Sequence, residues 1–301
     1  MANVPLTRKY KRAGNAFPIA ALLGGATIWG LLWYPYRLLE QADISGSIAT
    51  AITYLIALLL GLVAFRNSLQ GPLIFGGKMH LLLGIGLFAG WTNLAYVLGV
   101  IHGEVVRVLL LFYLAPLWTI AFARLLLDEK LSLHGYLVIA LSLSGAIVML
   151  WQPQTGFLLP LSYGDWMGIS AGIMFALSNV LSRRDQFHCV QLKSLAVWAG
   201  VTLVALGYSL FGEAAMPGRV STESGLLLLG LGLIVFGLSV MVQYGLNHVP
   251  ANQAIVIMLF ELVVAAVAAY FLTDEALTMK EWIGGAMIIS ASLFSTKMNR
   301  E

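Results

Sequence analysis

The amino-acid sequence predicts an all-α integral membrane protein whose ten transmembrane helices form two inverted five-helix repeats. Three observations predict it. The chain is 59% hydrophobic and 10% charged, with a mean hydropathy of +0.87, whereas a soluble domain carries about 25% charged residues. Apolar stretches of the length a hydrocarbon core requires, about 20 residues each, fall near 17–38, 47–65, 79–100, 103–126, 134–151, 164–182, 191–212, 224–244, 251–272 and 280–296. The chain also repeats itself without a gap after a shift of 146 positions, from Gly84 to Gly230. Leu81 through Leu87 then lands on Leu227 through Leu233, Asp128-Glu129 on Asp274-Glu275, Gly99 on Gly245, and His102 on His248. Duplication of apolar spans points to a secondary transporter.

Each element follows in order. Residues 1–16 form a cytoplasmic tail, with Arg8, Lys9, Lys11 and Arg12 ahead of the first span. A basic tail before an apolar stretch resembles a signal peptide. Its removal would leave an odd number of spans and strip the sixth helix of its partner, so a retained signal anchor is expected. Residues 17–151 make the first repeat, 152–163 a linker without Lys or Arg, 164–296 the second repeat, and 297–301 a cytoplasmic C-terminus. Arg66, Lys78, Arg124, Lys130, Arg183, Arg184 and Lys193 fall on the same side as the tail. Positive residues favour cytoplasmic loops, so both termini are expected inside. Five is odd, so the second repeat enters from the opposite face, and the substrate path is expected between the halves.

The composition leaves no soluble domain for a nucleotide or nucleic acid. The net charge of +3 reflects topology. The lone Cys189 lies in a cytoplasmic loop, so no disulfide is expected. His80, His102, His134, His188 and His248 are scattered, and neither H-E-x-x-H nor a cysteine pair offers a metal site. No cofactor is expected beyond a coupling ion such as a proton.

Charge inside a span is costly and is by default functional. Glu261 sits mid-way along the ninth span, suited to holding a proton or a substrate ammonium group. Its structural alternative is a hydrogen-bonded carboxyl joining helices. Arg107 lies about one turn into the fourth span, placed to meet a substrate carboxylate or Glu261; snorkelling or a pair with Glu104 is the alternative. One Arg is too little for a sugar-phosphate carrier, which tilts the substrate toward zwitterionic, cationic or apolar metabolites. Trp29, Trp33, Trp91, Asn93, Tyr96, Tyr113, Asn179, Gln243 and Tyr244 are candidate cavity residues, each with helix packing as its alternative. Trp151, Trp166 and Trp282 fall at span ends, as belt residues do. Gly164, Gly168, Gly172 and Ala176 give the sixth helix one smooth face for close packing or sliding, and Pro116 removes a backbone donor from the fourth span.

Several motifs resemble the drug/metabolite transporter superfamily, specifically bacterial proteins with two EamA-type domains. They are Ala26-Thr27-Ile28-Trp29-Gly30 in the first span, Leu111 through Trp118 in the fourth, the Asp128-Glu129-Lys130-Leu131-Ser132 turn, Ala176 through Arg184 in the sixth, and Glu261-Leu262 with Glu281-Trp282-Ile283-Gly284 near the end. The resemblance covers residues 17–296. It implies a ten-helix secondary carrier of the bacterial inner membrane, commonly an exporter of amino acids or related small metabolites. In that family the ninth-helix Glu is often followed by Pro; Leu262 stands there, so no kink is expected.

The expected activity is export of a small amphipathic metabolite by alternating access, coupled to protons, by a monomer or homodimer in the lipid bilayer. An importer or facilitator of the same solutes is the nearest alternative. Gly168-Ile169-Ser170-Ala171-Gly172 also fits the G-x-S-x-G nucleophile pattern of an intramembrane serine protease, with His188 or His248 as base. A channel is a third class, for which the polar positions are too scattered.

Overall fold

The computed structural model describes residues 16–66, 69, 78–102, 108, 111–150, 162–211, 220–272 and 279–294. Its helices are α1 (Ala16–Gln41), α2 (Gly46–Ala64), α3 (Met79–His102), α4 (Ala115–Leu127), α5 (Leu133–Leu150), α6 (Tyr163–Arg184), α7 (Val190–Phe211), α8 (Thr222–His248), α9 (Ala251–Met258), α10 (Phe260–Leu272) and α11 (Met279–Phe294). Among the described residues, five helices are long and apolar enough to cross a membrane: α1, α2, most of α3, most of α7, and α8. The other apolar helices are shorter. Arg107 and Glu104 lie outside the described residues, as does Trp151.

Local chemistry sets the helix ends. Ser162 and Asp165 form a reciprocal capping box at the start of α6, with Asp165 N–H donating to Ser162 Oγ at 3.1 Å and Ser162 N–H to Asp165 Oδ2 at 3.2 Å. Ser221 accepts the Ser224 N–H in the same way at the start of α8. Asp128, at φ 55°, ends α4 in the left-handed region, which Asp tolerates better than most residues.

The densest packing joins the two halves of the chain, and each such contact has its copy in the repeat. α3 packs on α6 as α8 packs on α1; α4 on α6 as α9 and α10 pack on α1; and α3 on α7 as α8 packs on α2. α2 against α7 and α5 against α11 are each a helix meeting its own counterpart. One core gathers α1, α2, α7 and α8 around the fully buried Trp198. A second surrounds Tyr113 and Leu262. The outer surface is apolar: Leu83, Leu125, Leu210 and Phe271 are all more than half exposed, as are Trp166 and Trp282. Such a surface suits lipid.

Between lipid-bathed helices, close packing replaces the hydrophobic effect as the cohesive force. α3 and α7 approach backbone to backbone, so a Cβ on Gly200 would fall on the carbonyl of Gly86. Gly207, two turns further along α7, has nothing within 4 Å of such a Cβ. Gly200→Ala should therefore separate the helices and destabilise the protein by about 1–3 kcal/mol, while Gly207→Ala is neutral. Thermal unfolding in detergent checks this; equal melting temperatures for the two variants would contradict it.

Candidate functional site

Two helices are interrupted at positions related by the repeat. Tyr113 and Leu114 form a turn before α4, and Leu259, 146 residues after Tyr113, separates α9 from α10. In the first interruption Leu114 N–H reaches Leu111 O at 3.4 Å and Leu117 N–H reaches Leu114 O at 2.9 Å. Pro116 has no N–H to return to the Phe112 carbonyl, and that carbonyl instead faces Gly172, where a Cβ would come within 2.6 Å. The second interruption corrects the expectation of an unkinked ninth span. Leu262 replaces proline, yet Leu262 N–H bonds Leu259 O at 3.1 Å, a tight three-residue turn that needs no missing donor. The Glu261 carbonyl lies against Gly30 of α1, where a Cβ would come within 2.7 Å.

The two interruptions meet. Tyr113 Oη–H donates to Glu261 Oε1, joining the first half to the second. Phe112 packs against Tyr96 at 5.5 Å, Tyr113 at 5.2 Å and Phe175 at 5.5 Å between ring centroids. A small cavity opens here, lined by Phe112, Tyr113, Pro116, Phe175, Met258 and Glu261. One carboxyl among aromatic rings and aliphatic side chains suits a proton, and the cavity, of about 10 Å³, has room for no more than one water.

The other sequence candidates are dispersed. Trp91 Nε1–H donates to Ser170 Oγ at 3.1 Å, and Ser170 Oγ–H donates to Met167 O at 2.9 Å. Asn93 accepts from Tyr54 Oη at 3.1 Å and donates to Ala89 O. Gln243 Oε1 accepts from Ser182 Oγ at 2.6 Å. Asn179 is buried on α6. Trp29 packs against two cores, and the side chain of Trp33 lies outside the described residues. Tyr244 lines a separate, wider cavity. Gly168 meets Val108 O as Gly172 meets Phe112 O, and the Gly164 carbonyl faces Gly99. Ser170 lies about 20 Å of helical rise from the α6 end where His188 follows.

The comparisons with known proteins agree with this architecture. The family model described as "EamA-like transporter family" matches residues 16–151 and again 162–297. The chain belongs to the EamA-like transporter family. An uncharacterised transporter of Archaeoglobus fulgidus is 31% identical over 71% of this chain and 75% of its own. S-adenosylmethionine uptake transporters of Rickettsia prowazekii and Rickettsia bellii are 28% and 26% identical over 76% of this chain, and over 74% and 75% of theirs. A solved crystal structure shares the fold with TM-score 0.73 at 18% identity, covering 93% of this chain and 97% of its own. The protein is thus a multi-pass membrane transporter.

In this EamA-like chain the sequence reading missed a polar cluster at the α6–α7 and α8–α9 junctions. Lys193 is fully buried, and its ammonium donates to Ser182 O at 2.6 Å, to Asp185 O and to Asn247 Oδ1. Arg183 donates to Asn247 O and lies 3.9 Å from Glu129 of the α4–α5 turn. Ala251 N–H, at the start of α9, also reaches the Glu129 carboxylate. The legible trace was the paired Asp-Glu turn and the run of basic residues; their convergence was not.

Burial raises the Glu129 carboxyl above its usual range, and Arg183 and the Ala251 N–H offset this only in part. The folded state therefore favours the neutral acid. Its contribution to stability is full below the ordinary glutamate pKa and is lost as pH rises through the raised folded value. Glu129→Gln should remove that loss, leaving a flatter stability profile across this window while keeping an acceptor for Ala251. Thermal melts at stepped pH test it; an unchanged slope would contradict the assignment.

Proposed function

We propose that this chain is a secondary carrier with ten membrane spans in two inverted five-helix repeats and cytoplasmic termini. It moves a small amphipathic metabolite between its halves by alternating access in the bacterial inner membrane. The observation that carries the reading is the pair of repeat-related interruptions meeting at the Tyr113–Glu261 bond. Transporters place substrate and coupling-ion sites at such discontinuous helices. α9 and α10 together supply the ninth span. The exchanged helix contacts are those a two-fold axis between the halves would give.

Glu261 is the coupling residue. Its carboxyl takes either a proton or the positive group of the substrate, and Tyr113 orients it. Exchange of one for the other ties transport to the proton gradient, and a cationic or zwitterionic solute fits the exchange. Domain limits of 17–151 and 164–296 follow from the repeat. Arg107, one turn in from the opposite end of the fourth span, is assigned to the substrate anion.

Export of an amino acid or related solute is the first reading. Uptake is the second, favoured by the names of the Rickettsia relatives, which transport S-adenosylmethionine inward. That compound carries a fixed positive charge beside an ammonium and a carboxylate, so the same site chemistry serves either direction.

Proteoliposomes loaded with candidate amino acids or S-adenosylmethionine separate the readings. Wild type should show saturable counterflow and accumulation driven by an imposed pH gradient. Glu261→Gln should lose gradient-driven accumulation while remaining folded and inserted. Full driven transport by that variant would remove Glu261 from coupling. Arg107→Ala should raise the apparent KM for a carboxylated substrate by about tenfold, the loss of one charge-assisted contact; unchanged kinetics would refute its assignment.

A further inference from the structure

The helices sort by contact into two groups, each drawn from both halves of the chain. α3, α4, α6 and α7 pack on one another, and so do α1, α2, α8, α9 and α10. The groups join along α2 and α7, and again where α4, α6 and α7 face the α8–α9 junction. Within that second seam lies a small apolar cluster of Ala123, Val180 and Ala251, all buried. The polar cluster around Lys193 adjoins it, since Val180 is one turn from Arg183 on α6 and Ala251 N–H reaches the Glu129 carboxylate.

Four polar links cross this seam. The Lys193 ammonium of α7 donates to Asn247 Oδ1, and Arg183 of α6 to Asn247 O. Ser182 Oγ–H donates to Gln243 Oε1 at 2.6 Å, and Ala251 N–H to Glu129. An ammonium has three donors, and Lys193 gives the other two to Ser182 O and Asp185 O within its own group. Withdrawal of Asn247 would leave a buried charge with an unmet donor, which is costly until water enters the seam. The contact is therefore firm when dry and replaceable when wet, as a reversible closure requires.

The repeat confines this cluster to one end of the bundle. A shift of 146 positions carries Gln243 to Val97, Asn247 to Ile101 and Lys193 to Ser47. The repeat-related seam thus has neither the cation nor its amide acceptor. We propose that the cluster is a latch: it holds the α8–α9 junction end of the protein shut and makes closure there the resting state. The proposal rests on the alternating-access reading, under which this end faces the cytoplasm. Opening to the cytoplasm then requires both contacts to Asn247 to part.

Alkylation by N-ethylmaleimide, on purified protein in lipid nanodiscs, reads the opening without substrate or gradient. The single cysteine, Cys189, is replaced by serine, and Val180→Cys places a thiol in the buried seam. Asn247→Ala should raise its alkylation rate about tenfold, the effect of one hydrogen bond to a charged group on the opening equilibrium. Asn247→Asp, which offers Lys193 a carboxylate in place of the amide, should lower the rate below that of the parent. Ala26→Cys, in the core that α1, α8 and α9 share, should stay protected in both variants, because it lies inside one group and not between the two.

Equal rates at Val180→Cys for Asn247→Ala and its parent would overturn the latch. So would a matching rise at Ala26→Cys, which marks a loosened fold, or an Asn247→Asp rate no lower than the parent's. If Asn247→Ala does not fold, Asn247→Asp decides alone. The readout needs no transport, so the expected rates without any counterflow in proteoliposomes would refute the carrier reading and leave the closure standing.

Discussion

A membrane offers no water to a backbone group that leaves its helical partner, and the centre of this protein is arranged around that constraint. Two helices open, at Tyr113–Leu114 and at Leu259. In lipid each freed group must find a partner or be buried within protein. Both openings are therefore enclosed by helices of the opposite half, the first against Gly172 of α6 and the second against Gly30 of α1. The same enclosure brings Tyr113 to Glu261 and wraps them in aromatic side chains. The small residues, the breaks and the buried carboxyl thus form one arrangement.

Packing between halves extends the arrangement to the helix ends. Each half contributes few strong contacts of its own, so neither presents a sealed core. At the α8–α9 junction, Glu129 of the first half meets Arg183 and the first N–H of α9. The positive end of α9 offsets part of the burial that holds Glu129 toward its neutral form. The polar cluster and the Tyr113–Glu261 bond are thus two separate polar links between the halves.

Much of this was legible in the amino-acid sequence, because the signals were long. Apolar stretches of about 20 residues fix helices whatever surrounds them, and the 146-residue repeat related the halves without any coordinates. Glu261 stood out since charge inside a span is rare. Tyr113 was legible only as one aromatic among many, for its partner lies 148 residues away. The break at Leu259 was misread because proline was taken as its cause, whereas a tight turn of ordinary residues produces it. Lys193 read as a loop cation; its burial depends on carbonyls at the end of α6 and on Asn247 of the α8–α9 junction, 54 residues away, which spacing alone does not bring together.

The account stands on energetic coupling between Tyr113 and Glu261. A double-mutant cycle on substrate exchange in proteoliposomes measures it most directly, using Tyr113→Phe, Glu261→Gln and the two combined, with no gradient imposed. If the bond organises the site, the effects on exchange are non-additive by about 1 kcal/mol or more, and Tyr113→Phe changes little once Glu261 is Gln. Additive effects would mean that the two residues act separately, and the meeting of the two interrupted helices would not be the transport site.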